Sequence, residues 1–425
     1  MNAPAMEHAA EMIFTGDELL RGETVNTNQS YLGERLLDLG VFPARSVCVR
    51  DELAEIVAAI RDSLVRRPVV LILSGGLGPT EDDLTREAVS EALHRPLEHH
   101  EDLLEEIRDR FESRGYTMTD SNRRQARLPQ GAAVIPIAGT APGFSVDEGG
   151  TLVVALPGVP WELKDMWEGT VEPLLRERVQ TAGSSGHVVR RVRTFGLGES
   201  YAADLLAELA WRGGSVEIGT RAHPESLSII LRAADSPEGL RELEKTQTRV
   251  LELLGDRVFG VDSPGLPEIL SGLLARSGLR VATAESCTGG LVAKYLTDFP
   301  GSSDYFQGGV VAYDNAVKTR VLGVDENTLA ARGAVSRQVA EEMALGVCSA
   351  LGVDCALSTT GVAGPDGGSD DKPVGLVFVA TAIEGAVEVE ELRLFGRRGQ
   401  IRERAALSAL DQLRRRLLKR DAPAP

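Results

Sequence analysis

The 425-residue sequence predicts an α/β protein, with two α/β three-layer domains joined by a small α+β module. Three observations carry that prediction. Apolar or nearly apolar runs, such as residues 68–73 and 151–156, alternate with helical periodicities. Strands buried on both faces and covered by helices read this way. Several of these runs open into glycine-rich turns, where a backbone can approach a ligand closely. Between about residues 187 and 261 the order changes to strand, helix, two strands and a long polar helix, which suits a compact α+β unit. The boundaries expected are 7–178, 187–262 and 266–420, with Gly183-Ser184-Ser185-Gly186 and Asp262-Ser263-Pro264-Gly265 as linkers.

Each element has a local reason. Residues 10–15 are a short, mostly apolar run ending at Gly16. Tyr31, Leu32, Leu36 and Leu39 recur at helical spacing, and Gly40 stops that helix. A short strand at 47–49 and an amphipathic helix at 53–64 follow. The strand at 68–73 enters the glycine-rich turn, and 85–93 is helical again. The alternation predicts a parallel sheet. In the middle module, residues 188–195 alternate basic and apolar side chains, as a half-buried strand does. A helix at 200–209, strands at 216–220 and 227–233, and a helix at 237–254 complete it. The last region reads helix, strand, loop, helix, strand (308–313), two helices (the second 336–351), then strands at 356–360, 374–382 and 387–395. Its final helix, 400–419, lines up Leu407, Leu410, Leu413 and Leu417 on one side. The tail 421–425 is expected to be disordered.

Composition narrows the function. A net charge of −17 argues against a nucleic-acid binder, which needs Lys and Arg to neutralise phosphates. Any anionic substrate must be met by local donors. Four cysteines, none at zinc-ligand spacing, imply reduced thiols and a cytoplasmic setting. Residues 1–10 have no apolar signal core, and no run approaches the ~20 apolar residues that span a bilayer. No membrane association is expected.

Chemistry concentrates first in Ala284-Glu285-Ser286-Cys287-Thr288-Gly289-Gly290. A strand ending in a small hydroxyl residue, then two glycines and a helix, can hold a nucleophile and an anion together. Serine needs a base. No histidine follows His223, so Lys318 is the replacement, provided that burial or a neighbouring cation lowers its pKa. Tyr313 could relay the proton or orient the lysine. Backbone N–H groups of Thr288, Gly289 and Gly290 would meet the oxyanion. The same pattern also suits Ser286 as a helix cap and Lys318 as a surface lysine. Cys287 is a rival nucleophile. Thr360, Gly361 and Gly364 form a second small-residue loop, and Arg397, Arg398 or Arg402 could clamp a phosphate.

These strings, with Pro300-Gly301-Ser302-Ser303, Gly333-Ala334-Val335-Ser336, Gly361-Val362-Ala363-Gly364-Pro365 and Lys372-Pro373-Val374-Gly375, resemble the C-terminal domain of the competence/damage-inducible CinA family. The resemblance implies deamidation of nicotinamide mononucleotide to nicotinate mononucleotide and ammonia, without a cofactor. It puts Ser286, Tyr313 and Lys318 on the family's catalytic positions and a homodimer in prospect. Arg398 is the arginine expected to take the phosphate.

The first region holds two strand-end loops, Thr15-Gly16-Asp17-Glu18 running on to Asn28, and Ser74-Gly75-Gly76-Leu77-Gly78-Pro79-Thr80-Glu81-Asp82-Asp83. Asn28, Gly75, Gly76, Gly78 and Thr80 are the expected substrate contacts. Asp82 and Asp83 could hold a divalent cation against phosphate oxygens, or could simply favour a helix start. The loops resemble the molybdopterin-binding domain family, and Leu156-Pro157-Gly158-Val159-Pro160-Trp161 is similar to its CinA branch. That implies an ADP-ribose pyrophosphatase, giving AMP and ribose 5-phosphate, with Mg²⁺ or a similar ion, a monovalent cation as an optional companion, and Asp17 as a further metal ligand. The same fold also serves molybdopterin adenylylation. The middle module looks like the KH-like module of full-length CinA proteins. Arg212-Gly213-Gly214 lacks the spacing of an RNA-clamping loop, so a spacer or dimer element is expected, not a nucleic-acid reader. The whole then reads as a bifunctional pyridine-nucleotide recycling hydrolase. A non-enzymatic competence partner is the rival outside enzymology.

Overall fold

A computed structural model describes residues 9–181, 187–211, 213–223 and 226–421. The expected linker at 183–186, Arg212 and the tail from 422 lie outside the described residues. Packing divides the chain into two compact units. One runs to Val188 and includes Ala234–Leu240; the other takes Val189–Ala233 and everything from Arg241. Most of the middle module therefore packs as one body with the C-terminal region.

The first unit is a three-layer α/β domain. Its strands are β1 (Ala9–Thr15), β2 (Phe42–Val49), β3 (Val70–Ser74), β4 (Leu97–His99), β5 (Arg127–Pro129), β6 (Ala133–Ile135), β7 (Gly143–Glu148) and β8 (Thr151–Leu156). The main sheet has the order β2-β1-β3-β8-β7-β6, and β4 with β5 makes a separate ribbon. Every residue of β1, β3 and β8 is buried. Alternation along β1 feeds both helix layers. Ile13 packs with Ile56, Ile60 and Val89 on one face. Met12 and Phe14 pack with Leu32, Leu36 and Trp167 on the other.

The second unit carries two sheets. β9 (His187–Phe195), β10 (Val216–Ala222), β11 (Ser226–Ala234) and β12 (Val258–Val261) form the order β10-β11-β9-β12. β13 (Val281–Glu285), β14 (Phe306–Val311), β15 (Cys355–Gly361), β16 (Leu376–Ile383) and β17 (Ala386–Arg393) form the order β14-β13-β15-β16-β17. The face of the latter towards helix Arg337–Leu351 is made largely of Ala282, Ala284, Ala356, Ala380 and Ala382, so that helix can pack closely. The opposite face meets helix Arg398–Asp421 through Leu357, Val377 and Val379 against Leu407, Leu410 and Leu413.

Both large sheets are mixed, which corrects the expected parallel sheet. β7 pairs antiparallel with β6 and β8, and β16 antiparallel with β15 and β17. For the β7–β8 and β16–β17 pairs the reason is connection length. Gly149-Gly150 and Glu384-Gly385, all at positive φ, turn the chain in two residues. Parallel pairing would need a crossover of about a dozen residues or more. β12, which adds a fourth strand to the middle sheet, was not expected from the sequence.

Candidate active sites

β13 lies between two parallel neighbours, with Glu285 opposite Val311 on one side and Thr359 on the other. Ser286 therefore emerges where three parallel strands end together, the usual place for a site in an α/β sheet. Its N–H donates to Thr359 O at 2.9 Å, and Ala312 N–H donates to Glu285 O at 2.8 Å. The first residue beyond β14 is thus held against the end of β13. Lys318, on helix Asn315–Leu322, folds back to this point. Its Nζ donates to Ala312 O at 2.8 Å and Tyr313 O at 3.2 Å. The side chain is only 1% exposed, so the surface-lysine alternative fails.

That environment suits a base. Burial drives the Lys318 pKa down, and the charge of Asp314 opposes the shift in part. A neutral amine has two N–H donors and one lone pair. The two carbonyls can take both donors and leave the lone pair for a hydroxyl proton. No hydrogen bond joins Nζ to the Ser286 hydroxyl in this structure. Cys287 is the poorer nucleophile: burial pushes its thiol up to about 12, so it stays protonated near neutrality.

Tyr313 is 61% exposed, and its hydroxyl accepts from Arg398 Nη2 at 2.9 Å. Arg398 Nη1 donates to Gly364 O at 2.7 Å. One guanidinium thus joins the tyrosine to the second glycine loop. Arg402 takes a different part, donating to Cys287 O at 3.2 Å and Thr288 O at 2.7 Å. It holds the Ser286 loop.

Glu285 was missed by sequence reasoning. Its buried carboxylate accepts from Thr288 Oγ1 at 2.7 Å, Gly290 N at 2.8 Å, Val292 N at 3.1 Å and Ala293 N at 2.8 Å. The available signal was an acid just before a turn into a helix, where N-terminal N–H groups attract negative charge. The expected oxyanion site changes accordingly. Gly290 N–H is already engaged by Glu285, and the Thr288 backbone N–H faces the Cys287 sulfur. Gly289 N–H has no partner among the described residues and remains as a donor. Thr360 also differs from expectation, since its hydroxyl donates to Ala334 O at 2.7 Å and so braces the loop.

The first unit has its own cleft, of about 450 Å³, at the ends of β1, β3 and β8. Gly75, Gly76, Gly78, Asp82 and Asp83 line it. Gly75 is required by conformation and space: its φ is +111°, and a Cβ there would lie 2.5 Å from Thr15 Oγ1. Two buried residues secure the loop. Arg86 donates to Leu77 O at 2.6 Å and Gly78 O at 2.7 Å, and Thr85 to Gly75 O at 2.7 Å. Asn28 is buried behind the cleft and ties β3 to the β8 loop, through Ser74 Oγ at 3.1 Å and Gly158 O at 2.8 Å. Thr80 N–H donates to Asp83 at 2.8 Å. Asp17 is turned aside, its carboxylate on Arg21 at 3.0 Å. Glu18, Asp51 and Glu162 line the cleft instead, none of them singled out from sequence. Burial and the nearby Glu18, Asp17 and Asp82 raise the Asp51 pKa.

Among the described residues no three His, Cys, Asp or Glu side chains stand ready to enclose a metal. The cleft nevertheless has five carboxylates and no lysine or arginine in its lining. A divalent ion fits there if phosphate oxygens complete its shell, as Mg²⁺ commonly requires. Asp82 and Asp83 are the residues that would hold it. A larger cleft, about 810 Å³, lies in the second unit among Phe195, Arg257, Glu391, Phe395 and Arg404. None of the residues picked out from sequence lines it.

Comparison with known proteins matches this arrangement region by region. The family described as "Probable molybdopterin binding domain" matches residues 11–177, the CinA KH domain 189–260 and the CinA C-terminal domain 265–417. A CinA-like protein of Gloeothece citriformis is 41% identical over 416 residues, covering 96% of this chain and 99% of its own. One from Kosmotoga olearia is 39% identical over 412 residues with the same coverage. The crystal structure of competence/damage inducible protein CihA from Agrobacterium tumefaciens is 44% identical over 36% of this chain and 97% of its own, with a TM-score of 0.35. No helix among the described residues is long and apolar enough to cross a membrane. With three domain matches in order and relatives aligned over nearly their full length, the chain belongs to the CinA family.

Proposed function

We propose that the C-terminal region hydrolyses the carboxamide of nicotinamide mononucleotide. The observation that carries this reading is the fully buried Lys318 amine, held by two carbonyls at the strand end that presents Ser286. Ser286 Oγ attacks the amide carbon while its proton passes to Lys318. Ammonia leaves with that proton, and water then cleaves the acyl-serine. Arg398 and Gly289 N–H are the nearby donors for phosphate and oxyanion, respectively. Ammonia release from nicotinamide mononucleotide by wild type and Ser286→Ala tests the reading. Equal rates in the two would remove the serine mechanism.

For the first unit, the reading is metal-dependent hydrolysis of ADP-ribose to AMP and ribose 5-phosphate. The lining of five carboxylates without a lysine or arginine favours it, because a diphosphate could enter such a cleft only together with cations. The ion would screen the phosphates and stabilise developing charge. Gly75, Gly76 and Gly78 would bring backbone close to the phosphates, and Arg86 would keep that loop in shape. AMP formation from ADP-ribose with Mg²⁺ is the assay. Adenylylation of a molybdopterin substrate, with no AMP from ADP-ribose, would favour the rival. Both substrates derive from NAD breakdown, which gives one chain reason to carry both sites. A homodimer and a cytoplasmic setting belong to the same proposal.

A further inference from the structure

We propose that Glu162 is the proton acceptor of the first unit's cleft, a role that rests on the diphosphate-hydrolysis reading above. Three observations support it. Glu162 lines the same cleft as the glycine loop, yet is only 6% exposed. Space is made for its carboxylate: a Cβ added to Gly139 would lie 1.9 Å from Oε1. Finally, Thr15 Oγ1, in the same lining, is buried with no hydrogen-bond partner. A buried, unsatisfied hydroxyl is costly, and a ligand or water in the cleft would relieve it.

Glu162 differs from two of the acids around it. Asp83 is bound to Thr80, and Asp51 accepts from Asp17 N–H at 3.0 Å. Glu162 faces the Thr140 backbone and no other side chain is hydrogen-bonded to it among the described residues. Burial raises its pKa, while the Thr140 backbone and the charge of Arg114 pull the other way. A carboxylate whose basicity is raised towards neutrality is better able to take a proton from water. In the step proposed, a water oxygen bonds to one phosphorus as the bridging P–O bond breaks. The water's proton goes to Glu162, and the leaving phosphate departs with the electron pair.

The test uses the full chain, ADP-ribose and Mg²⁺, with AMP measured chromatographically. Binding is read separately by titration calorimetry with an ADP-ribose analogue whose phosphates are bridged by a methylene. Glu162→Gln should lower kcat about 100-fold or more while analogue affinity stays within about threefold. Glu162→Asp keeps the carboxylate with a shorter reach and should fall about tenfold. A wild-type rate in either variant overturns the inference. Loss of analogue binding overturns it too, since Glu162 would then be a binding group. Wild type releasing no AMP with Mg²⁺, Mn²⁺ or Co²⁺ would overturn the diphosphate reading itself and this role with it.

Discussion

Replacing Glu285 tests whether the nucleophile loop is held from beneath. In Glu285→Ala, four donors lose their acceptor: the Thr288 hydroxyl and the N–H groups of Gly290, Val292 and Ala293. At about 1.5–3 kcal/mol per hydrogen bond to a charged group, a simple sum would reach roughly 6–12 kcal/mol. That overshoots, because the donors belong to one network and water can enter the space left behind. A loss of about 3–5 kcal/mol is expected, as for other broken buried charges. For a unit of this size that lowers Tm by roughly 6–20 °C. Glu285→Gln should cost less, about 1–3 kcal/mol. Its carbonyl oxygen can serve the three donors that share Oε2, but its amide then faces Ala293 N–H donor to donor. Hydrogen exchange on the peptide covering 286–293 is the direct assay, because two units make a single global stability ill defined. Exchange there should accelerate roughly 10²–10⁴-fold in Glu285→Ala. Amide hydrolysis should fall with it, since Ser286 rides on the same turn. Wild-type exchange and Tm in Glu285→Ala would refute the reasoning.

Three further outcomes follow from the geometry. Because burial lowers the Lys318 pKa, deamidation should climb as pH rises through that lowered value and level off below the ordinary lysine value of about 10.4. In the same window the unfolded chain binds more protons than the folded one, so stability should also rise with pH; a pH–rate profile falling there would contradict the assignment. Cys287→Ala should keep amidase activity within about threefold, since the buried thiol is not ionised near neutrality; loss of turnover with an intact fold would move the nucleophile to sulfur. Gly75→Ala should destabilise the first unit by about 2–4 kcal/mol in calorimetry, from its positive φ and the contact with Thr15, and should weaken ADP-ribose binding while leaving deamidation unchanged.

Much of this protein follows from local pattern. Buried strands announce themselves as unbroken apolar runs, and the glycine loops after β3 and β13 are visible because they interrupt such runs. Ser286, Tyr313 and Lys318 could be linked from sequence because each lies at or just past the end of a predicted strand, where parallel strands deliver their residues to one edge. Strand direction was less visible. For β7–β8 and β16–β17 it follows from the two residues between the strands, and Gly149-Gly150 and Glu384-Gly385 were the turn signals. Glu285, Arg402 and Glu162 became identifiable only in three dimensions. A carboxylate that satisfies a helix start looks in sequence like any other acid. The Arg402 contacts span more than a hundred residues of chain. The room for the Glu162 carboxylate depends on a glycine that sits beside it only after folding. Periodicity and turn chemistry act between near neighbours, so sequence alone determines the elements. Which charged group is buried, and against which partner, depends on long-range packing, and only the tertiary structure decides it.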